Sequence, residues 1–407
     1  MTETVDVVVI GGGPAGLRAA ADLAGDHSVI LLERERDAGG IPRHSHHTGY
    51  GLRDLRRVMT GPRYAAALVE RALASGVQMR TSSMVTGWHG PRAVEVSAPT
   101  GRSVVEGRAV LLATGARERP RAARWIPGDR PAGVMTTGQL QQMVHLQHRS
   151  IGSRAVILGS ELVSWSAVLT LREAGCTPVA MVTASTHQES YAALAWAGRT
   201  AFRLPVLQRT RVMSIEGDER VTGVTVIRDG RVTTIACDTV ITSGDWIPDH
   251  ELARLRGISM NAGSKAPVSG ADLSLTDDGV FGAGNLLHPV DTADVCALDG
   301  AHVARSIRAW LAHPMTPRQE VEITAGSGLA WVTPGRWQDH ASPARGRLLA
   351  WPEVPSLIPT IVARQGGHDV GRRRLPWPAA PGRMLRIPAA VLAHVQSGGG
   401  PVELSLR

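Results

Sequence analysis

The sequence predicts an α/β fold in which a Rossmann-like unit carries a second, inserted unit of the same kind and a small β-rich C-terminal module. Three observations predict it. A strand, a glycine-rich turn, a helix and another strand follow one another between Val5 and Glu33. A similar unit opens at Ala155. From about Met315 the chain changes to scattered Pro, Trp and Arg with short apolar alternation.

The N-terminal unit contains the most specific motif. Val5–Ile10 is a β-branched apolar run, typical of a buried parallel strand, and it leads into Gly11-Gly12-Gly13-Pro14-Ala15-Gly16. The pattern then predicts a helix over Leu17–Ala24 and a strand over Ser28–Leu32, which ends at Glu33. This order and spacing form the dinucleotide fingerprint, in which the acid accepts hydrogen bonds from ribose hydroxyls.

Each glycine of the turn has a separate task. Gly11 permits the tight turn, Gly13 lets the backbone approach a diphosphate, and Gly16 lets the helix close on the strand. The N-terminus of the helix that follows offers free N–H groups and a partial positive charge to the phosphates.

Chain length, apolar runs and cysteine usage exclude several classes of protein. The 407 residues allow two cores and a third small module. No run of eighteen apolar residues occurs and the first strand starts at Val5, so we expect a cytoplasmic protein without a signal peptide or membrane span. Cys176, Cys237 and Cys296 form no C-x-x-C, which excludes a zinc knuckle or a [2Fe–2S] cradle on this chain.

The net charge of +8 comes almost entirely from dispersed arginines, since Lys265 is the only lysine. Nucleic-acid binding would need basic runs interleaved with aromatics, and aromatics are 4% of the chain. We therefore expect no nucleic-acid partner. A basic surface favours an acidic partner protein or an anionic substrate.

A loop of unusual composition follows Glu33 and Arg34. Gly39 and Gly40 predict a loop that passes very close to a ligand. The histidines of the next stretch, His44 to His47, lack an acid or cysteine at a useful spacing, so we expect no metal site. A polar loop at the edge of the ligand is the simpler interpretation, with Arg43 and His44 as candidate site residues.

The rest of the first unit contains a helix over Tyr64–Gly76, short strands near Val77–Met84 and Val94–Ala98, and a buried strand over Arg108–Gly115. The last strand ends in Ala113-Thr114-Gly115, whose small residues let the backbone pass over a flat cofactor. Arg117 and Arg119 follow as further candidate site residues.

The second unit has the same strand–turn–helix pattern as the first, but its turn lacks two of the three glycines. Strand Ala155–Leu158 leads into a turn with Glu161 and Ser164 at the second and third glycine positions, and a helix over Trp165–Ala174. At about 5 Å and an effective dielectric of about 20, each like-charge contact with a diphosphate costs roughly 3 kcal/mol. Half of that weakens binding about tenfold.

The next strand of this unit, Val179–Val182, ends in Thr183–Thr186 with neither an acid for a ribose nor an arginine for a 2′-phosphate. We therefore expect the second nucleotide site to serve as scaffold, and NAD(P) binding to be doubtful.

The chain then returns to the first unit. Strands near Val221–Ile227 and Val232–Ile235 precede a predicted strand over Asp238–Pro248. A strand over Asp278–Asn285 leads to a helix that ends near Leu311 and has Thr292, Ala293 and Asp294 in its first turn. The positive end of this helix favours negative charge on a ligand. The predicted units are 1–117 with 246–314, 118–245, and 315–407.

With these motifs in order, residues Asp6 to about Leu311 resemble the two-dinucleotide-domain flavoproteins of the pyridine nucleotide-disulfide oxidoreductase superfamily. The resemblance implies FAD on the first unit, with Asn285 where most members have Asp. The cofactor-binding residues it implies, together with those predicted above, are Gly11, Gly13, Pro14, Ala15, Gly16, Glu33, Arg34, Gly40, Ala113, Thr114, Gly115, Gly284, Asn285, Thr292 and Ala293.

Four segments resemble one branch of the superfamily, the FAD/NAD(P)-binding subunits of opine and hydroxyproline dehydrogenases and of hydrogen cyanide synthase. They are Thr114–Pro120, Thr137–Gln141, Ala283–Asn285 and Pro289–Ala293. In that branch the subunit pairs with an amine- or imino-acid-oxidising flavoprotein, often with a small iron–sulfur protein. The resemblance implies partners of these kinds and a small-molecule substrate.

Two departures narrow the function. The cysteine pair of the superfamily's redox disulfide is absent, with Ser45 the nearest residue of that kind, and any iron–sulfur cluster must lie on a partner chain. Three functions stay open: an FAD-carrying subunit of an amine, imino-acid or hydroxy-acid dehydrogenase complex, a stand-alone NAD(P)H-dependent flavin reductase or monooxygenase, and a scaffold subunit with structural FAD.

Overall fold

The computed structural model describes residues 2–187, 189–276, 278–314, 320–338 and 342–407. The predicted α/β class with Rossmann-like sheets is confirmed. The first part of the chain forms β1 (Thr2–Ile10), α1 (Pro14–Leu23), β2 (Val29–Leu32), β3 (Thr48–Tyr50), β4 (Met59–Thr60), α2 (Gly61–Ala74), β5 (Gln78–Arg80), β6 (Met84–Trp88), β7 (Ala93–Ala98) and β8 (Gly101–Leu112).

These strands form one sheet in the order β5-β2-β1-β8-β7-β6, with β3 and β4 paired separately. Strand β1 runs parallel to β2 and β8, and its residues Val7, Val8 and Val9 are fully buried. Helix α2 begins at Gly61, three residues before the predicted start, because Pro62 in its first turn has a backbone angle suited to a helix start.

The inserted part holds two further sheets. Its elements are β9 (Ala116–Glu118), β10 (Val134–Thr136), α3 (Thr137–Gln141), β11 (Arg154–Leu158), α4 (Leu162–Glu173), β12 (Thr177–Val182), α5 (Ala192–Phe202), β13 (Val206–Leu207), β14 (Thr210–Gly217), β15 (Val221–Arg228), β16 (Arg231–Ala236), β17 (Thr239–Thr242) and β18 (Trp246–Pro248). Strands β10-β17-β11-β12-β13 are parallel, and β14-β15-β16 form an antiparallel sheet.

The single strand predicted over Asp238–Pro248 is two strands. Strand β17 belongs to the parallel sheet of the inserted part, whereas β18 pairs antiparallel with β9 in a two-stranded ribbon. The break falls at Gly244 and Asp245, which both have left-handed backbone angles (φ 70° and 54°) that a strand does not accommodate. The predicted unit boundaries at 117/118 and 245/246 lie at this ribbon.

The chain then forms α6 (Glu251–Leu255), β19 (Val280–Gly282) and α7 (Ala293–Ala312). Strand β19 lies parallel to the carboxyl end of β8, so it joins the first sheet beside that strand. Helix α7 packs on α1 so closely that a Cβ built on Gly300 would stand 2.3 Å from the carbonyl oxygen of Ala15. This contact joins the first helix of the chain to α7, which lies near the end of the region that carries the predicted motifs.

The C-terminal part contains β20 (Glu320–Ala325), β21 (Leu329–Thr333), β22 (Arg336–Gln338), β23 (Arg347–Pro352), β24 (Thr360–Gln365), β25 (His368–Arg374), β26 (Leu385–Pro388) and β27 (Val402–Leu406). They form sheets β22-β20-β27-β24-β25 and β21-β23-β26 around their own apolar core. Arg386 pairs with Asp291 at 3.1 Å and so ties this part to the start of α7. The predicted boundary at Met315 lies outside the described residues.

Across the described ranges, no helix combines the length and the apolar character needed to cross a membrane.

We expect Gly300→Ala to lower the free energy of unfolding by about 1–3 kcal/mol, because the added methyl group must push α7 away from the backbone of α1. Gly25→Ala is the matched control, since no described atom stands within 4 Å of its Cβ position. Denaturant unfolding of the FAD-loaded chain measures both changes. Equal stability of the two variants would contradict the close contact.

Candidate functional site

The candidate site lies along one edge of the first sheet. Strands β1, β2, β8 and β19 are parallel, so their carboxyl ends meet at the same edge. The residues that follow these four ends are Gly11, Glu33, Ala113 and Ala283. The tertiary structure therefore brings together the four motifs that the sequence predicts for the cofactor.

The glycine-rich turn is closed toward the protein and open toward the edge. A Cβ on Gly16 would stand 2.0 Å from the carbonyl oxygen of Gly11, so α1 lies directly on the turn. At Gly13, in contrast, no atom of the described residues stands within 4 Å of the Cβ position. Helix α1 starts immediately afterwards with Pro14 and Ala15, and its first N–H groups form an anion-binding helix N-terminus.

Glu33 is buried at the end of β2, with 7% of its surface exposed. Its Oε2 atom accepts a hydrogen bond from the Gly12 N–H at 2.7 Å, and its Oε1 atom accepts one from the Glu35 N–H at 2.8 Å. A carboxylate has about four acceptor positions, so two bonds leave capacity for ribose hydroxyls. The acid is thus held in a fixed orientation beside the turn.

The loop with Gly40 covers the same turn. The Gly39 N–H donates to the Gly12 carbonyl at 2.7 Å, and a Cβ on Gly40 would stand 3.0 Å from the Cα atom of Gly13. Arg43 donates to the Asp37 carbonyl at 2.6 Å. His44 is buried, and burial together with the Arg43 charge lowers its pKa to about 4. His44 is therefore neutral at pH 7.

The other two candidate side chains are held in ion pairs. Arg117 pairs with Asp249 and with Glu251, the latter at 2.9 Å. Arg119 pairs with Asp245 at 3.4 Å. These contacts attach the segment after β8 to the segment around β18. A role of the two arginines beside the flavin stays a prediction.

Asp249 holds the end of β8, although no sequence motif points to it. Its backbone carbonyl accepts from the Thr114 hydroxyl at 2.6 Å, and its N–H donates to the Gly115 carbonyl at 2.9 Å. Its carboxylate also pairs with Arg34 at 3.4 Å. The Arg34 side chain is exposed, and its guanidinium is directed at this protein carboxylate. Asp249 therefore fixes the cofactor-facing end of β8 from a distant part of the chain.

Gly284 and Asn285 follow β19, and the Asn285 side chain shapes the next loop. Its Nδ2 atom donates to the Asp291 carbonyl at 3.1 Å, and its Oδ1 atom accepts from the Asp291 N–H at 3.0 Å. Asn285 therefore acts on the loop that leads to α7. The backbone of Gly284, at positive φ beside Ala15, is the part of this motif that lies against α1.

The N-terminus of α7 carries a charge pair that the sequence did not indicate. Thr292 is the N-cap, Ala293 is the first helical residue and Asp294 is buried in the first turn. The Arg53 guanidinium donates a hydrogen bond to the Thr292 hydroxyl at 2.9 Å. The Arg53 backbone N–H donates one to Asp294 Oδ2 at 3.1 Å. No motif links Arg53 to α7, because the two lie 241 residues apart.

The corresponding turn of the inserted part is filled by a carboxylate. Glu161 precedes α4, and its Oε1 atom accepts from the Ser243 hydroxyl at 3.1 Å. A Cβ on Gly244 would stand 1.9 Å from the same atom, so the carboxylate lies directly on Gly244. Burial and the neighbouring Glu189 carboxylate raise the pKa of Glu161 to about 7.

The strand after this turn does have an acid beside its end, although none lies within the predicted stretch Thr183–Thr186. Glu189 folds back over the end of β12, where its Oε2 atom accepts from the Ser160 hydroxyl at 2.5 Å and from the Thr183 hydroxyl at 2.8 Å. The sequence pattern missed Glu189 because it lies in a loop beyond the strand end. Glu189 therefore lies at a strand end, as Glu33 does in the first unit, whereas Glu161 stands where the first turn has the bare backbone of Gly13.

The fold and the first turn define a dinucleotide-binding α/β protein with a duplicated Rossmann-type unit. The family model for pyridine nucleotide-disulphide oxidoreductases matches residues 5–306. The chain belongs to this family of FAD-binding oxidoreductases, which confirms the resemblance and the predicted cofactor at the level of the family.

Two relatives illustrate the similarity. An opine oxidase subunit of Agrobacterium tumefaciens is 33% identical over 153 residues, which cover 35% of this chain and 29% of that protein. The alpha subunit of sarcosine oxidase of Rhizobium meliloti is 27% identical over 352 residues, covering 81% of this chain and 33% of that protein. In both comparisons the matched region is about a third or less of the relative's length.

A solved structure shares the fold. Thioredoxin reductase of T. acidophilum superposes with a TM-score of 0.64 and 18% identity, covering 75% of this chain and 98% of that structure. The uncovered quarter of this chain corresponds in size to the C-terminal β-rich part.

We expect Glu33→Gln to weaken FAD binding by up to about tenfold, because the amide places an N–H₂ group where two backbone donors and the ribose need acceptors. Glu35→Gln is the matched control, since the Glu35 side chain is half-exposed and, among the described residues, its ion pairs with Arg43 and Arg34 are long, at 3.8 and 4.0 Å. Absorbance at the flavin band after gel filtration measures the retained cofactor. Equal retention by both variants would contradict a role for Glu33.

Proposed function

We propose that this chain is the FAD-carrying subunit of a cytoplasmic, heteromeric dehydrogenase complex. It would pass electrons between a partner's amine, imino-acid or hydroxy-acid substrate and an acceptor other than a nicotinamide. The observation that carries the proposal is the contrast between the two turns. The first has bare backbone and open space at Gly13, and the second holds the Glu161 carboxylate at the matching position.

The first site fits FAD. The open space at Gly13 leaves room for a diphosphate, and the α1 N-terminus provides N–H donors for it. The fixed Glu33 carboxylate provides an acceptor for ribose hydroxyls. FAD, when bound, supplies the ability to accept a hydride or an electron pair. The protein's part is to hold the cofactor and set the charge around it.

The N-terminus of α7 provides positive potential at the far end of the site. A helix N-terminus carries roughly half a positive charge, which favours negative charge on a bound ligand. Asp294 in the first turn offsets that charge, and Arg53, at 3.7 Å from the Asp294 carboxylate, restores it. We infer that Arg53 and the backbone at Ala293 together stabilise electron-rich forms of the ligand.

The second site opposes a nicotinamide dinucleotide, whose diphosphate would meet the Glu161 carboxylate. The guanidinium that most offsets this carboxylate, Arg124, donates to the carbonyls of Arg119 at 2.7 Å and Ser243 at 2.9 Å. Its positive charge is therefore directed at the backbone, and it offsets the Glu161 charge only in part, since the pKa of Glu161 is still raised to about 7.

The cysteines support electron transfer without a redox disulfide. Cys176, Cys237 and Cys296 are all buried free thiols. Burial raises the pKa of Cys176 and of Cys237 to about 11, and it raises the pKa of Cys296 as well. Redox-active thiols have lowered pKa values, since the thiolate is the reactive form.

The relatives are themselves named as subunits, which supports partner subunits for this chain. We propose a second flavoprotein that oxidises the substrate and a small iron–sulfur protein as electron carrier. The net charge of +8 favours acidic surfaces on these partners.

The test mixes the FAD-loaded chain anaerobically with NADH or NADPH, and then mixes the co-purified complex with candidate amino, imino and hydroxy acids. We expect no rapid bleaching by nicotinamide and bleaching by a substrate of the complex. Prompt bleaching by NAD(P)H would instead identify a stand-alone flavin reductase or monooxygenase. An unchanged flavin spectrum during turnover of the complex would identify a scaffold subunit with structural FAD.

We expect Glu161→Gly to strengthen NADH binding by about tenfold or more, because it removes one like-charge contact and the side chain at the turn. Glu161→Gln separates the two causes, since it keeps the bulk and removes the charge. Exposed Glu219→Gln makes the same change in net charge away from the turn and is the control. Titration calorimetry measures all four proteins, and equal affinities would contradict the proposed repulsion.

The raised pKa of Glu161, about 7, predicts a pH dependence. Below this pKa the carboxyl group is neutral, so we expect the residual affinity of the wild type for NADH to increase as pH falls from about 8 to about 6. The affinity of Glu161→Gln should change less over the same range. Parallel pH profiles of the two proteins would show that Glu161 is not the titrating group.

A further inference from the structure

Three side chains with metal-binding atoms meet where the loop after Gly40 contacts the inserted part. His46 follows the short helical turn Ile41–His44, His145 lies in the turn after α3, and Glu173 is the last residue of α4. His46 Nδ1 lies 3.8 Å from one Glu173 carboxylate oxygen, and His145 Nε2 lies 3.8 Å from the other. The three ligand atoms all fall within 4.8 Å of one another.

His145 is the least expected member of this cluster. Its side chain is 2% exposed, and within the described part of the chain its buried Nε2 atom has no hydrogen-bond partner. A buried polar atom without a partner is costly, so it calls for a ligand. His145 also lies in the π-helical turn Gln142–Leu146, a rare backbone form that occurs often at functional sites.

The donor atoms of the cluster suit a cation. His46 and His145 each offer an imidazole nitrogen, and Glu173 offers a carboxylate oxygen. His47 and His148 are further titratable groups near His145. Metal ions bind the neutral imidazole and the ionised carboxylate.

The geometry is close to that of a zinc site. Ligand atoms of a tetrahedral zinc ion with bonds of about 2.0–2.1 Å stand roughly 3.3–3.5 Å apart. The two separations of 3.8 Å run to different carboxylate oxygens of Glu173, and the three ligand atoms, one from each residue, lie within 4.8 Å of one another, which is wider than this. The side chains of His46 and Glu173 are 40% and 55% exposed, so they can rotate to close the gap and unstack the two histidine rings, whose centroids lie 3.7 Å apart.

We propose that His46, His145 and Glu173 form a zinc site that joins the first Rossmann-type unit to the inserted one. Two imidazole nitrogens and one carboxylate oxygen are a donor set that zinc accepts, with water in the fourth position. His46 belongs to the first unit and the other two ligands to the inserted unit. A bound ion therefore restrains the movement of one unit against the other about the β9–β18 ribbon.

We predicted no metal site from the sequence because no acid or cysteine lies at a useful spacing from the histidine cluster in the chain. The tertiary structure adds His145 and Glu173, which lie on helical segments of the inserted part far beyond His46 in the chain.

The test titrates zinc chloride alone into the FAD-loaded, metal-stripped chain by calorimetry. We expect about one zinc ion per chain, and His145→Ala and His46→Ala should each weaken binding at least about tenfold. His89→Ala is the matched control, because His89 lies 3.7 Å from Glu95 on the surface and, among the described residues, joins no cluster of three ligands. It should bind zinc as the wild type does. Zinc binding that is absent, or equal in all four proteins, would overturn the proposal.

A second readout separates the site from general folding effects. Zinc should raise the melting temperature of the wild type and of His89→Ala in a concentration-dependent manner, and of neither ligand variant. His46→Ala changes a partly exposed residue, so it keeps the test decisive if the buried His145→Ala fails to fold. A zinc-dependent increase in the His46→Ala melting temperature equal to that of the wild type would also overturn the proposal.

Discussion

The candidate site depends on backbone packed directly against backbone at the carboxyl edge of the first sheet. Gly16 lies on the Gly11 carbonyl and Gly300 lies on the Ala15 carbonyl, each at a distance where a Cβ would overlap the oxygen. These contacts set helix α7 against helix α1 and bring both helix N-termini to the same edge. An anion-binding edge of this kind tolerates no side chain on the buried side of the turn.

The difference between the two Rossmann-type units follows from that constraint. In the first unit the position facing the ligand is Gly13, and the nearby Glu33 carboxylate is turned to the side by two backbone N–H groups. In the inserted unit the same position carries Glu161, and Glu189 stands beside it. The fold is thus retained in both units, while a carboxyl group in the second unit takes the position that bare backbone has in the first.

Several side chains that the sequence predicts near the flavin have protein partners within their own unit. Arg117 and Arg34 both pair with Asp249, and Arg119 pairs with Asp245. Asn285 similarly bonds to the backbone of Asp291. A polar residue next to a glycine-rich strand end is a candidate ligand by sequence. Whether it has a protein partner depends on which segment folds over it.

The sequence by itself determined the fold class, the first glycine turn, the position of the acid Glu33 after β2 and the altered turn at Glu161, because each rests on residues close together in the chain. Spacing within a strand–turn–helix unit is a local property that backbone geometry converts directly into structure. Only the tertiary structure decided the roles of Asp249, Arg53, Glu189, His145 and Glu173. These side chains meet their partners across long loops, and no local pattern records which distant segments the packing of two sheets will bring together.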